Sequence, residues 1–154
     1  MSKTTPLENL LAHQAITELL GQYVAGVDRG EPERTAGLFG EHGVLEVHGG
    51  REYAGRDGVR EFLSGSRTPG AMNAFGRIRH HVSSLVIELD SPESATASSY
   101  FLAVSRIGPD HWGTYRDELE ARDGSWSFRR RQVTIEGASP EGWIGSGAGP
   151  VSFE

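Results

Sequence analysis

The sequence predicts an α+β fold in which three N-terminal helices cover one face of a strongly curved sheet. Two observations lead there. Leu10, Leu11, Leu19, Leu20, Tyr23, Val24 and Val27 recur at helical spacing, whereas from Ile78 onward apolar and polar residues alternate between turn signals. Helices first and a long meander of strands afterwards is an α+β order, and the concave face of such a sheet encloses a pocket.

The first helix starts at Pro6 and ends near Asp28, ahead of Arg29-Gly30. Glu31-Pro32-Glu33-Arg34 opens a second, short helix to about Phe39, with Pro32 suited to a first helical position. Val44 to His48 and Arg51 to Ala54 read as short strands around Gly49-Gly50. Asp57 is a plausible N-cap for a third helix through Val59, Phe62 and Leu63. Gly65 to Gly76 is a loop carrying Met72 and Phe75. Four consecutive antiparallel strands follow: Ile78 to Leu89, Ala95 to Arg106, His111 to Arg122 and Ser125 to Glu136, the last two joined by Asp123-Gly124. Residues 1–136 therefore form one domain. Residues 137–154, rich in Gly, Ser and Pro and without a period, form a tail that adds little to the core or a flap over the pocket or a neighbouring subunit.

At 154 residues the chain has the size of one domain with room for a cavity. The absence of cysteine excludes disulfides, a thiol nucleophile and zinc-thiolate sites, and fits a reducing, cytoplasmic setting. No stretch approaches the ~20 apolar residues of a membrane span, and no basic and apolar leader is present at the N-terminus. Membrane and secretory roles are not expected. A net charge of -6 and a single lysine, Lys3, argue against nucleic acid as a partner. Arg129-Arg130-Arg131 is not one patch, because neighbours on a strand face opposite ways.

The pattern formed by Tyr23 and Asp28, Leu38-Phe39, Gly55-Arg56-Asp57-Gly58, Arg79-His80, Gly113-Thr114-Tyr115-Arg116-Asp117 and Asp123-Gly124-Ser125-Trp126-Ser127-Phe128 leading to Arg131 resembles the SnoaL-like branch of the nuclear transport factor 2-like superfamily. That branch includes scytalone dehydratase, bile acid 7α-dehydratase, hexachlorocyclohexane dehydrochlorinase and polyketide cyclases. The resemblance covers about residues 8 to 136 and implies a cone-shaped α+β barrel. It also implies an Asp-His dyad at Asp28 and His80, an active-site tyrosine at Tyr23 and an active-site arginine at Arg131. Many relatives carry asparagine where this chain has Ser84, which puts a ligand contact there in doubt.

These residue types form a minimal acid/base set. A carboxylate at a helix C-terminus meets the negative end of the helix dipole and calls for a partner, which an imidazole on a neighbouring strand can supply. Neutral imidazole is a competent base near neutral pH, and a carboxylate bonded to Nδ1-H leaves Nε2 free to act. His80 is then the base and Asp28 its orienter. Tyr23 would steady developing charge as a donor or general acid, and Arg131 would bind a substrate oxygen or balance Asp28. Elimination, isomerisation and aldol-type cyclisation all begin with this proton abstraction.

Each residue also has a plainer reading: Asp28 as a surface residue ending a helix, His80 as a satisfied sheet histidine, Tyr23 as core. On residues alone His80 and His81 are equal candidates; the family pattern selects His80. Asp117 reads as the structural partner of a sheet arginine. No His spacing puts two metal ligands on one face, no Gly-x-Ser-x-Gly elbow is present, and no Gly-x-Gly-x-x-Gly follows a strand. Neither a metal nor another cofactor is expected. Phe39, Phe62, Met72, Phe75, Ser84, Tyr100 and Trp112 are the candidate substrate-binding residues. The chain reads as a lyase or isomerase acting on a polyketide- or steroid-like compound and assembling as a homo-dimer or homo-trimer, with a non-catalytic binding or assembly module as the alternative.

Overall fold

The computed structural model describes residues 4–66 and 74–152. Helix α1 spans Pro6–Arg29. A capping box sets its start: the Glu8 amide donates to the Thr5 hydroxyl, and the Thr5 amide donates to the Glu8 carboxylate. Gly30, in the left-handed region at φ 70°, ends it. Its inward stripe is Ile16, Leu19, Leu20 and Tyr23. Helix α2 is only Pro32–Ala36, and strand β1, Phe39–Val47, begins where a longer helix was expected. The reason is competition from the sheet: the Phe128 amide donates to the Leu38 carbonyl, so the chain is captured into pairing at once. Strand β2 is Arg51–Ala54 and helix α3 is Gly55–Gly65. Ala54 holds the N-cap position with no side-chain cap, while Asp57 lies in the first turn and pairs with Arg60, which corrects the expected cap.

Strands β3 (Arg79–Ser91), β4 (Ser94–Ser105), β5 (Gly108–Arg122) and β6 (Ser125–Ala138) form the meander. The sheet order is β2-β1-β6-β5-β4-β3, antiparallel except for the parallel β1 and β6 pair. The helices cover one face, and the main core lies between, built on Ile16, Leu20, Phe39, Leu45, Phe128 and Leu119. Two irregularities shape the site. In β3 the pairing passes from Ser83 opposite Tyr100 to Val86 opposite Ser98, and Ser84 takes a left-handed φ of 53°. In β5 the pairing passes from Val104 opposite Pro109 to Ala103 opposite His111, so Asp110 is an extra, unpaired residue.

The tail is packed, not peripheral. Ile144 is buried with Phe101, Tyr115 and Ile135, and three hydrogen bonds tie the segment to the start of β5: Ser139 N to Asp110 O, Ser139 Oγ to Pro109 O, and Trp143 N to the Asp110 carboxylate. Its contribution to the core corrects the expectation that it would add little. Among the described residues no helix is long and apolar enough to cross a membrane.

Candidate active site

Asp28, one residue from the end of α1, turns toward the first residues of β3. Its Oδ1 lies 2.7 Å from His80 Nδ1, and its Oδ2 accepts the His80 backbone N–H at 3.1 Å. Both side chains are about nine-tenths buried, with 11% and 10% exposed. Two N–H donors from the strand thus answer the carboxylate at the negative end of the helix. A carboxylate only accepts, so Nδ1 carries the hydrogen and Nε2 of the neutral ring is the acceptor. His81 points to the other face and is exposed.

Two adjoining cavities of about 60 and 90 Å³ lie between the helices and the sheet. His80, Val27, Leu63, Ser66 and Trp143 border both. Asp28 lines the first, whereas Tyr23, Phe101, His111 and Tyr115 line the second. Tyr23 is buried on α1, edge-on to Tyr115 and Phe128. Burial pushes its phenol up from the ordinary value, against the pull of the Arg131 guanidinium, and the hydroxyl stays protonated at neutral pH.

Arg131 does not do what the sequence suggested. It is 1% exposed and holds Asp117 in a bidentate pair, Nε to Oδ1 at 2.7 Å and Nη2 to Oδ2 at 2.8 Å. Its guanidinium carbon lies 4.2 Å from the ring centres of both Tyr23 and Tyr115. It balances Asp117, not Asp28, and it does not border either cavity.

Of the expected lining residues, Phe62 borders the larger cavity, its ring tilted against Tyr53. Phe39 is solid core, with no exposure, packed on Phe128. Tyr100 and Trp112 lie on the outer face of the sheet, 59% and 39% exposed, because each is one residue out of phase with the inward Phe101 and with His111. Ser84 is exposed on the β3 bulge and borders neither cavity. Phe75 is half-buried and binds Arg106 N through its carbonyl, outside the lining. Met72 lies outside the described residues.

Sequence reasoning missed Phe101, Tyr115, Ile144 and above all Asp110. The inward residues of β4 are Ala95, Ala97, Ser99, Phe101 and Ala103, and the outward ones include Tyr100 and Leu102. Neither set reads as more apolar, so alternation carried no signal there. His111 and His48 carry no family signal in the sequence; among the described residues no three His, Asp or Glu side chains converge on a metal position.

The SnoaL-like domain family matches residues 8–132. The chain belongs to that family. Its fold is the nuclear transport factor 2-like cone, shared with a putative scytalone dehydratase from Novosphingobium aromaticivorans at 26% identity and a TM-score of 0.74, covering 88% of this chain and 91% of that one. A type 3 hexachlorocyclohexane dehydrochlorinase from Novosphingobium barchaimii is 21% identical, with a TM-score of 0.73 over 88% and 93% of the two chains. ActVI-ORFA from Streptomyces coelicolor is 22% identical, with a TM-score of 0.68 over 81% and 97%. The last two likenesses show the fold alone. A comparison with curated proteins finds no match.

Proposed function

We propose that this SnoaL-like chain is a cofactor-free lyase or isomerase that begins its reaction by taking a proton from a small to medium, largely apolar, oxygenated molecule such as a polyketide- or steroid-like compound. The observation that carries the reading is the 2.7 Å contact between Asp28 Oδ1 and His80 Nδ1 at the border of both cavities, with Tyr23 lining one of them. The substrate C–H bond breaks, its proton passes to His80 Nε2, and its electron pair moves onto a carbonyl oxygen that the Tyr23 hydroxyl steadies. Asp28 keeps the ring in the competent tautomer and stabilises the imidazolium that forms. Loss of a leaving group, return of the proton to another carbon, or attack on a second carbonyl then gives elimination, isomerisation or cyclisation. The names of a dehydratase and a dehydrochlorinase among the structural neighbours favour elimination.

The test is hydrogen–deuterium exchange at the carbon beside the carbonyl of cyclic ketones in deuterated water, followed by NMR. His80→Ala is expected to lose about 100-fold or more of the catalysed exchange while its melting temperature changes little. Exchange in His80→Ala at the wild-type rate would remove the base and leave a non-catalytic binding module as the better account.

The reading includes a homo-dimer or homo-trimer built through the outer sheet face, where Val86, Tyr100, Leu102 and Trp112 are exposed, and a cytoplasmic setting. Sedimentation equilibrium of the wild type and Tyr100→Glu tests the assembly; a monomeric wild type refutes it.

A further inference from the structure

The mechanism above leaves one buried titratable pair unused. His111 Nδ1 lies 2.8 Å from Asp110 Oδ1, and the two residues are 4% and 0% exposed. Strand neighbours normally face opposite sides; both are buried here because Asp110 is the extra residue of the β5 bulge and turns back to its neighbour's ring. The second Asp110 oxygen accepts the Trp143 backbone N–H at 2.9 Å. Burial works against the Asp110 carboxylate, but the His111 and Trp143 hydrogen bonds outweigh it and hold the group below its ordinary value. Burial, reinforced by the nearby His80, pushes the His111 imidazole down, so the ring is neutral at neutral pH. With Nδ1–H committed to a carboxylate, Nε2 is an acceptor.

His111 lines the same cavity as His80, and the two rings stand 5.8 Å apart, edge to face. The Trp143 ring lies 6.1 Å from the other side of His111 and borders the same cavity. Its indole N–H is buried and has no hydrogen-bond partner. A buried donor without a partner is costly, and its ring borders the same cavity as the His111 acceptor. One ligand group satisfies both at once. A hydroxyl donates its hydrogen to an imidazole nitrogen and accepts one from an indole. A carbonyl or an ether oxygen cannot donate, and an ammonium cannot accept.

We propose that His111 and Trp143 form a hydroxyl-recognition subsite beside the His80 base, so that the ligand is a ketone carrying a second oxygen as a free alcohol or phenol. This rests on the reading of the cavity as the substrate site and assigns the hydroxyl a binding role. His111 has no proton on Nε2 to give to that hydroxyl, because the hydrogen of its neutral ring is on Nδ1 toward Asp110. The group is held as a handle, and it orients the acidic carbon toward His80 Nε2.

The experiment uses the full chain and isothermal titration calorimetry with tetralone, its ring-hydroxylated isomers and their methyl ethers. At least one hydroxytetralone should bind the wild type about tenfold more tightly than both its methyl ether and the parent ketone. His111→Asn keeps an amide donor for Asp110 but has nothing at the Nε2 position, so it should erase that preference. Trp143→Phe, which keeps the backbone bond to Asp110, should reduce it several-fold. His80→Ala should retain it, which separates this inference from the base assignment: wild-type ketone exchange in His80→Ala with the hydroxyl preference intact overturns the base assignment alone. No preference in the wild type, a preference that survives in His111→Asn, or no binding of any hydroxytetralone overturns the proposal. Imidazole nitrogen shifts measured by NMR give a check independent of ligand: Nε2 of His111 should be the unprotonated nitrogen, and the opposite tautomer refutes the acceptor role.

Discussion

Replacing Asp117 by asparagine isolates the energetics of the cation beneath Tyr23. Arg131 and Asp117 are 1% and 0% exposed at the side chain, and the two parallel hydrogen bonds of 2.7 and 2.8 Å satisfy Nε and Nη2. Three aromatic rings, Tyr23, Tyr115 and Phe128, face the guanidinium carbon at 4.2, 4.2 and 4.5 Å, so water does not replace the lost carboxylate. Nη1 already has no hydrogen-bond partner. Removing one partner of such a pair leaves a buried charge uncompensated, at a cost of about 3–5 kcal/mol. For a domain of this size that is a fall in melting temperature of about 10 °C or more. The double replacement Asp117→Leu with Arg131→Met removes both charges and should restore most of the loss, because a buried ion pair gains little over apolar groups of similar volume. Urea titrations of the wild type, Asp117→Leu, Arg131→Met and the double variant read the coupling directly, provided the m-value is unchanged. A loss below about 1 kcal/mol in Asp117→Asn, or a double variant as unstable as the sum of the single ones, would refute the reasoning.

Two further outcomes follow from burial. Tyr23 and Tyr115 both have phenols pushed up by burial, so the folded state keeps protons that the unfolded chain releases above its ordinary tyrosine value of about 10. Their contribution is intact below that pH and is lost above it, at a limiting slope of about 2.7 kcal/mol per pH unit for two groups; unfolding free energies from urea titrations above about pH 10 should approach this slope, and Tyr23→Phe should halve it. Ile144→Ala should cost about 2–3 kcal/mol, because the side chain is 3% exposed among Phe101, Tyr115 and Ile135. A change near zero would mean that the tail does not hold its seat in solution.

The element order was legible because it rests on periodicity, and the dyad was legible because Asp28 and Arg79-His80 fall at family positions. Cavity lining was not. On β3 the inward residues are Leu89, Ile87 and Leu85, and continuing that alternation backward would turn His81 inward. The bulge at Ser84 adds one residue and shifts the parity, so His80 faces in and His81 out. The bulge at Asp110 shifts β5 in the same way and buries two consecutive polar residues. A bulge is a tertiary compromise of twist and pairing, and no residue pattern on these strands announces it. The Arg131 role was missed for another reason. Asp117 was legible as the partner of a sheet arginine, and the register, with Arg131 opposite Asp117, identifies that arginine as Arg131.

The bulge that turns His80 inward has a further effect on the outside of the molecule. Among the described residues β3 is the last strand of the sheet, with one row of backbone donors and acceptors lacking a strand neighbour. A straight edge of that kind is a template for unwanted strand addition and aggregation. Ser84, in a left-handed conformation midway along it, breaks the regular spacing that an incoming strand would need. A residue that restores a regular β conformation there would realign His81 with the interior and, in the same step, leave a continuous edge open to self-association. The inward turn of His80 and the interruption of the sheet edge therefore share one local kink.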